Sequence, residues 1–221
     1  MPSKTLYQLF VCRYASGCGS THCSRKGTRV CLARGRVPCD VLFIGEAPGR
    51  SENVIGQPFI GPAGRLMDYI IGRALPDGMT HALTNLVGCI PLEENGDKAT
   101  EPDEDQIQCC SGRLISFVRL ARPRLIVCVG RLAADYADLG YRHRVKIERV
   151  CPECREPANE VGELPCPHRD DVRPVEIPRV PIHHPAYLLR LNVANRDLEM
   201  QRSVIKIRNA VEEMPEGGKS P

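Results

Sequence analysis

Apolar residues follow two rhythms along this chain. Val41–Ile44, Ala82–Val87, Leu125–Val129 and Arg179–Ile182 are short apolar runs bounded by Gly, Pro or Asn. Each is too short for a core helix and predicts a strand. Between them the spacing turns helical. Arg65–Ala74 sets Leu66, Met67, Ile70, Ile71 and Ala74 on one stripe. Asp103–Ala121 opens with acids, which suit a helix N-terminus, and carries Ile107, Leu114, Ile115, Val118 and Ala121 at helical spacing. Leu132–Leu139 and Arg196–Val211 predict two further helices. Strand and helix in alternation imply an α/β sandwich around a mainly parallel sheet. Ligands of such sheets sit at the carboxyl ends of the strands, here Gly45-Glu46, Asn85 to Cys89, Gly130 and His183-His184.

Other stretches fall outside the alternation. Residues 1–40 are cysteine-rich and read as irregular. The α/β domain is expected over 41–145 and 179–212. A Pro-, Glu- and Cys-rich insertion occupies 146–178, and "EEMPEGGKSP" reads as a disordered tail over 213–221.

A length of 221 residues allows one substantial core, and 42% hydrophobic with 26% charged residues is ordinary for a soluble protein. No run approaches the ~18 apolar residues of a membrane span, and "MPSKTLYQLF" lacks a secretory core, so an intracellular protein with no membrane partner is expected. A net charge of +3 permits a nucleic-acid groove without requiring one.

Twelve cysteines do change the picture. Without an export signal they point to metal more than to disulfides. Cys128, inside "LIVCVG", reads as a core residue. Cys151-x2-Cys154 followed by Cys166-x-His168 has the spacing of a small structural zinc ribbon, with Asp170 an alternative to His168. Cys89 and Cys110 flank a long acidic loop, and Cys12, Cys18, Cys23, Cys31 and Cys39 crowd the N-terminal segment. Four such thiolates could hold a [4Fe–4S] cluster, though a second zinc or plain buried thiols fit the spacing equally.

The stretch "GEAPGRSENVIGQPFIGPAG", Gly45 to Gly64, joins a predicted strand to a predicted helix. It resembles the first motif of the family 4, iron–sulfur uracil-DNA glycosylases. "TNLVGC" resembles that family's second strand with a cluster cysteine, "RPRLIVCVG" its third strand, and "HHPAYLLR" its closing motif. Three motifs in order at strand ends make a specific match. The resemblance implies a three-layer α/β/α sandwich with a central four-stranded sheet, a [4Fe–4S] cluster, and hydrolysis of the uracil–sugar bond in DNA. Cys89 matches the third cluster ligand and Cys110, rather than Cys109, the fourth. The family's first pair is Cys-x2-Cys; Cys18-x4-Cys23 is the nearest here, with Cys12, Cys31 and Cys39 as alternatives.

Site roles follow from the same resemblance. Gly45 and Ala47 would line the base pocket by backbone, and Phe59 would stack on the base, its alternative being core packing. The Asn85 amide would read the uracil O4/N3 edge, unless it is an ordinary turn residue. Glu46 would position water beneath the sugar, and His184 would hydrogen-bond uracil O2 as charge builds there. Glu52 reads as a second carboxylate or a solvated loop charge, and His183 as a structural neighbour. Gly61 and Gly64 would offer helix N-terminal N–H groups to phosphate. Tyr187, Leu188 and Arg190 would meet the duplex. The expected partner is uracil-containing DNA, met by a monomer. The competing expectation is a non-catalytic nucleic-acid-binding iron–sulfur protein of the same fold, motivated by Gly88-Cys89-Ile90 where a basic residue usually flanks the cysteine. An electron-transfer protein has only the cysteines in its favour.

Overall fold

A computed structural model describes residues 6–14, 28–93, 98–138, 149–150 and 175–214. Strands β1 (Arg34–Gly35), β2 (Val41–Gly45), β3 (His81–Asn85), β4 (Leu125–Val129) and β7 (Arg179–Ile182) form one sheet in the order β1-β3-β2-β4-β7. β2, β3, β4 and β7 pair in parallel, and β1 runs antiparallel to β3. The sheet therefore has five strands, not the four expected. "ARG" offers no apolar run to read; β1 pairs by its backbone along the edge of β3.

Alternation along the strands divides the core. Leu42, Ile44, Ala82, Ile126 and Cys128 face a layer holding Phe10, Ile107, Cys110, Phe117 and Ala133. Those residues come from α1 (Leu6–Tyr14), α4 (Glu104–Ala121) and α5 (Arg131–Asp138). Val41, Phe43, Leu83, Leu125 and Val127 face the opposite layer, with Met67, Ile70, Leu188 and Ile207. Those come from α3 (Pro62–Ala74), the single turn α6 (Pro185–Leu188) and α7 (Val193–Glu212). β2 is buried along its whole length, as a parallel strand covered on both faces must be.

Helix ends obey local chemistry. Asp103 caps α4 by accepting from the Gln106 N–H at 2.8 Å, and Gln106 returns a bond to the Asp103 N–H. Pro62 opens α3 at its first position. The Asn192 side chain accepts from Asn195 N–H at 2.9 Å and starts α7 one turn earlier than expected.

Three expectations change. The N-terminal segment is not wholly irregular: α1 sets Tyr7, Phe10, Val11 and Tyr14 against the α4 layer, with Phe10 and Phe117 ring centroids 5.5 Å apart. The stretch after α7, which ends at Glu212, is packed at its start: Met214 is buried in the second core layer. The loop after β2 contains a helix, α2 (Arg50–Ile55). A two-residue ladder of β5 (Arg149–Val150) and β6 (Val175–Glu176) pairs Arg149 with Glu176, just outside positions 151–174.

Phe43 is fully buried and Val54 is 67% exposed. Phe43→Ala should lower stability by about 3–5 kcal/mol in urea denaturation, and Val54→Ala by no more than about 0.5 kcal/mol.

Candidate active site

Parallel pairing in register places Gly45 beside Asn85 at one rim of the sheet. The Phe59 ring closes on the same point. A Cβ built on Gly45 would lie 2.5 Å from both Asn85 Oδ1 and Phe59 Cζ. Only glycine lets amide and ring approach there. Asn85 is buried. Ala47 is half-buried against the layer of α4.

The second half of the site forms around Gly130, at the end of β4 with φ of +103°. A Cβ there would collide with the Glu46 carboxylate and lie 3.2 Å from His184 Cβ. Glu46, Gly130 and His184, from three strand ends, therefore meet. The Leu132 N–H, in the first turn of α5, donates to the Glu46 carboxylate. Burial nevertheless pushes the Glu46 pKa up, the nearby Glu101 adds to this, and Leu132 and Arg131 oppose it.

His184 caps α6, and its Nδ1 accepts the Ala186 N–H at 3.1 Å. The neutral ring therefore carries its proton on Nε2, free to donate. Burial, helped by Arg190 and opposed by Glu52, pulls its pKa down to about 4. At neutral pH the imidazole is uncharged.

Glu52 is not a solvated loop charge. It is buried, and its oxygens accept N–H bonds from Gly49 at 3.1 Å, Ile60 at 3.1 Å and Gly61 at 2.9 Å. It ties both ends of the loop together. Phe59 lies in the left-handed region at φ 57°, worth about 1–3 kcal/mol of strain, and its carbonyl is gripped by Arg34 Nη2 at 2.9 Å.

Several expected contacts move. The Gly61 N–H is already taken by Glu52, and Gly64 is buried, packed directly on the Phe59 carbonyl. Leu188 is fully buried, since it belongs to the core under α7; Ala186, Tyr187, Leu189 and Arg190 around it are exposed. His183 stacks toward Tyr187 at 5.3 Å and its Nε2 lies 3.4 Å from Glu199.

Cys18, Cys23, Cys151, Cys154, Cys166 and His168 lie outside the described residues, and no group of metal ligands assembles among those described. Cys39 and Cys128 are core residues, and Cys31 is a buried thiol donating to the Glu52 carbonyl at 3.2 Å. Burial, then Cys89 and Glu52, pushes Cys31 up to about 12, against Arg113 and Arg29. Cys89 is half-buried and Cys110 is buried. Both adjoin Arg113, a fully buried guanidinium of α4 that the sequence reading passed over. Its signal was a cation three residues after Cys110 and four before Phe117, on the buried stripe that includes all three. Leu114 and Ile115, expected on that stripe, are only partly buried.

With this arrangement in place, the relationship is direct. The model of the uracil DNA glycosylase superfamily matches residues 33–208, and the chain belongs to that superfamily. Within it, similarity runs to the family 4 branch. The chain is 36% identical over 119 residues to the Type-4 uracil-DNA glycosylase of Saccharolobus solfataricus, covering 52% of this chain and 51% of that protein. It is 31% identical over 102 residues to the one of Archaeoglobus fulgidus, covering 46% and 49%. To that of Thermotoga maritima it is 26% identical over 179 residues, covering 81% and 79%. The match to the first two spans about half of their length. The crystal structure of wild-type Pedobacter heparinus SMUG2 aligns with a TM-score of 0.45 at 11% identity, over 79% of this chain and 77% of that one.

Glu52→Ala should release the amides of Gly49, Ile60 and Gly61. Hydrogen exchange should show their protection lost selectively, with β2 amides retaining theirs.

Proposed function

We propose that this protein is a uracil-DNA glycosylase that hydrolyses the bond between uracil and deoxyribose after the nucleotide leaves the stack. The observation that carries this reading is the meeting of Glu46 and His184 at Gly130, beside the Asn85–Phe59 pair at Gly45, on one rim of the sheet. The superfamily membership and the Type-4 names of the relatives support it.

Each side chain then has a task. Phe59 stacks on the flipped base, a contact worth ~1–3 kcal/mol. The Asn85 amide donates to a carbonyl oxygen and accepts from a ring N–H, the pattern of the uracil O4/N3 edge; cytosine reverses it and leaves polar groups unpaired. Bond cleavage places positive charge on the sugar and negative charge on the departing base. The Glu46 carboxylate steadies the first and orients water toward C1′. The His184 Nε2–H, its direction set by the Ala186 bond, donates to O2 as the second develops. Tyr187, Leu189 and Arg190 are the exposed group beside this rim suited to duplex and phosphate.

A [4Fe–4S] cluster held by Cys18, Cys23, Cys89 and Cys110 completes the proposal. The described half of that donor set fits: Cys89 and Cys110 are thiols beside a buried cation whose Nε has no hydrogen-bond partner. Such a place suits an anionic metal–thiolate group. When bound, the cluster supplies negative charge and a covalent tie among distant segments. Structural zinc at Cys151, Cys154, Cys166 and His168 is supported by ligand spacing alone.

The test is incubation of the purified protein with a uracil-containing oligonucleotide, followed by alkaline strand cleavage. Strand scission supports the enzyme; salt-dependent binding without base release would favour the non-catalytic reading. Glu46→Gln should reduce turnover by ~10²–10⁴-fold while binding persists. The rate should fall on the acid side as Glu46 takes up its proton, at a pH above the ordinary carboxylate range. Glu101→Gln should move that limb to lower pH, and Arg131→Gln to higher pH, because each removes a charge that acts on Glu46.

A further inference from the structure

Arg113 presents an unbalanced account. Its guanidinium is fully buried, and the oxygen atoms that accept its hydrogen bonds are all neutral. Nη1 donates to the Thr84 hydroxyl at 3.1 Å and to the Leu32 carbonyl at 3.4 Å. Nη2 donates to the carbonyls of Asn85 at 2.5 Å and Leu86 at 3.0 Å. Nε has no acceptor. No carboxylate pairs with Arg113 among the described residues, yet burial disfavours a cation that lacks a counter-charge. The acidic groups acting on it are the Cys110 thiol, which also hydrogen-bonds it, then the Cys89 thiol and the Tyr14 phenol. Gly88 completes the setting, since a Cβ there would lie 3.2 Å from Arg113 Nε.

Two of those bonds fall on the residue assigned to read the base and on its neighbour. The same side chain thus touches the end of β3 on one side and the thiols on the other. We propose, resting on the functional reading above, that Arg113 is a positioning residue that joins the thiolate-held cluster to the base-reading end of β3. Its fork holds the Asn85 and Leu86 carbonyls, and its charge is balanced by the cluster ligated at Cys89 and Cys110. Lysine can match the charge but not the planar fork. Glutamine can hydrogen-bond but carries no charge.

The experiment uses the full-length protein with its metal centre, and reads iron content, the reduction potential by spectroelectrochemistry, and uracil excision separately. A cation beside an anionic cluster favours its reduced form, so Arg113→Gln should shift the potential to more negative values and speed iron loss. Arg113→Lys should leave potential and iron content near those of the parent while excision falls by about 10–100-fold. Hydrogen exchange should show the Leu86 and Val87 amides less protected in that variant. If Arg113→Gln does not fold, the lysine variant alone decides. An unchanged potential in Arg113→Gln, or unchanged excision and exchange in Arg113→Lys, would overturn the proposal, as would a parent protein without iron. A parent that holds iron but releases no uracil sinks the functional reading instead; the potential and exchange arms then still judge the link between cluster and β3.

Discussion

The in-register parallel pairing of β2 with both β3 and β4 is the constraint on which the site depends. β2 is buried on both faces, so its side chains cannot exchange layers without moving Phe43 and Leu42 into each other's places. That rigidity is transmitted to the strand ends. It sets Gly45 opposite Asn85, and it brings Glu46 over Gly130. A slip of a single residue would separate amide from ring and carboxylate from imidazole together. The chemistry therefore inherits its precision from the apolar packing beneath it.

The loop that follows β2 is held differently, by polar groups in place of apolar ones. Glu52 gathers three backbone N–H groups, and Arg34 holds the Phe59 carbonyl while ion-pairing with Asp68 at 2.5 Å. Phe59 keeps a backbone conformation that it would not choose alone. Such local strain persists where the surroundings over-determine it, and it is often found where a side chain must be presented to a ligand. The glycines clear space, and the two charged side chains set the shape.

Much of this was legible in the sequence because it is periodic or local. The four parallel strands and the helices after them follow from apolar spacing, and Pro62 and Asp103 announce helix starts. Edge strand β1 was not legible, since Arg34 and Gly35 carry no pattern and pair only because β3 has a free side. Helix α1 is marked by the helical spacing of Tyr7, Phe10, Val11 and Tyr14, but at nine residues it is too short for a strong periodic signal. Glu52 and Arg113 were harder. Their partners are backbone groups from other segments, and sequence spacing does not encode those. Leu188 and Leu189 are adjacent and alike, and only the fold decides that the first is core and the second surface.

The small β5–β6 ladder has an architectural meaning. Because Arg149 is paired with Glu176, the two ends of the intervening stretch of sequence lie side by side shortly before β7. An excursion with adjoining ends can lengthen or shrink with little thermodynamic penalty, each doubling of its length costing only about 0.6 kcal/mol of closure entropy. This position is therefore a natural port for evolutionary accretion: a module grafted there need not perturb the order of strands beside it.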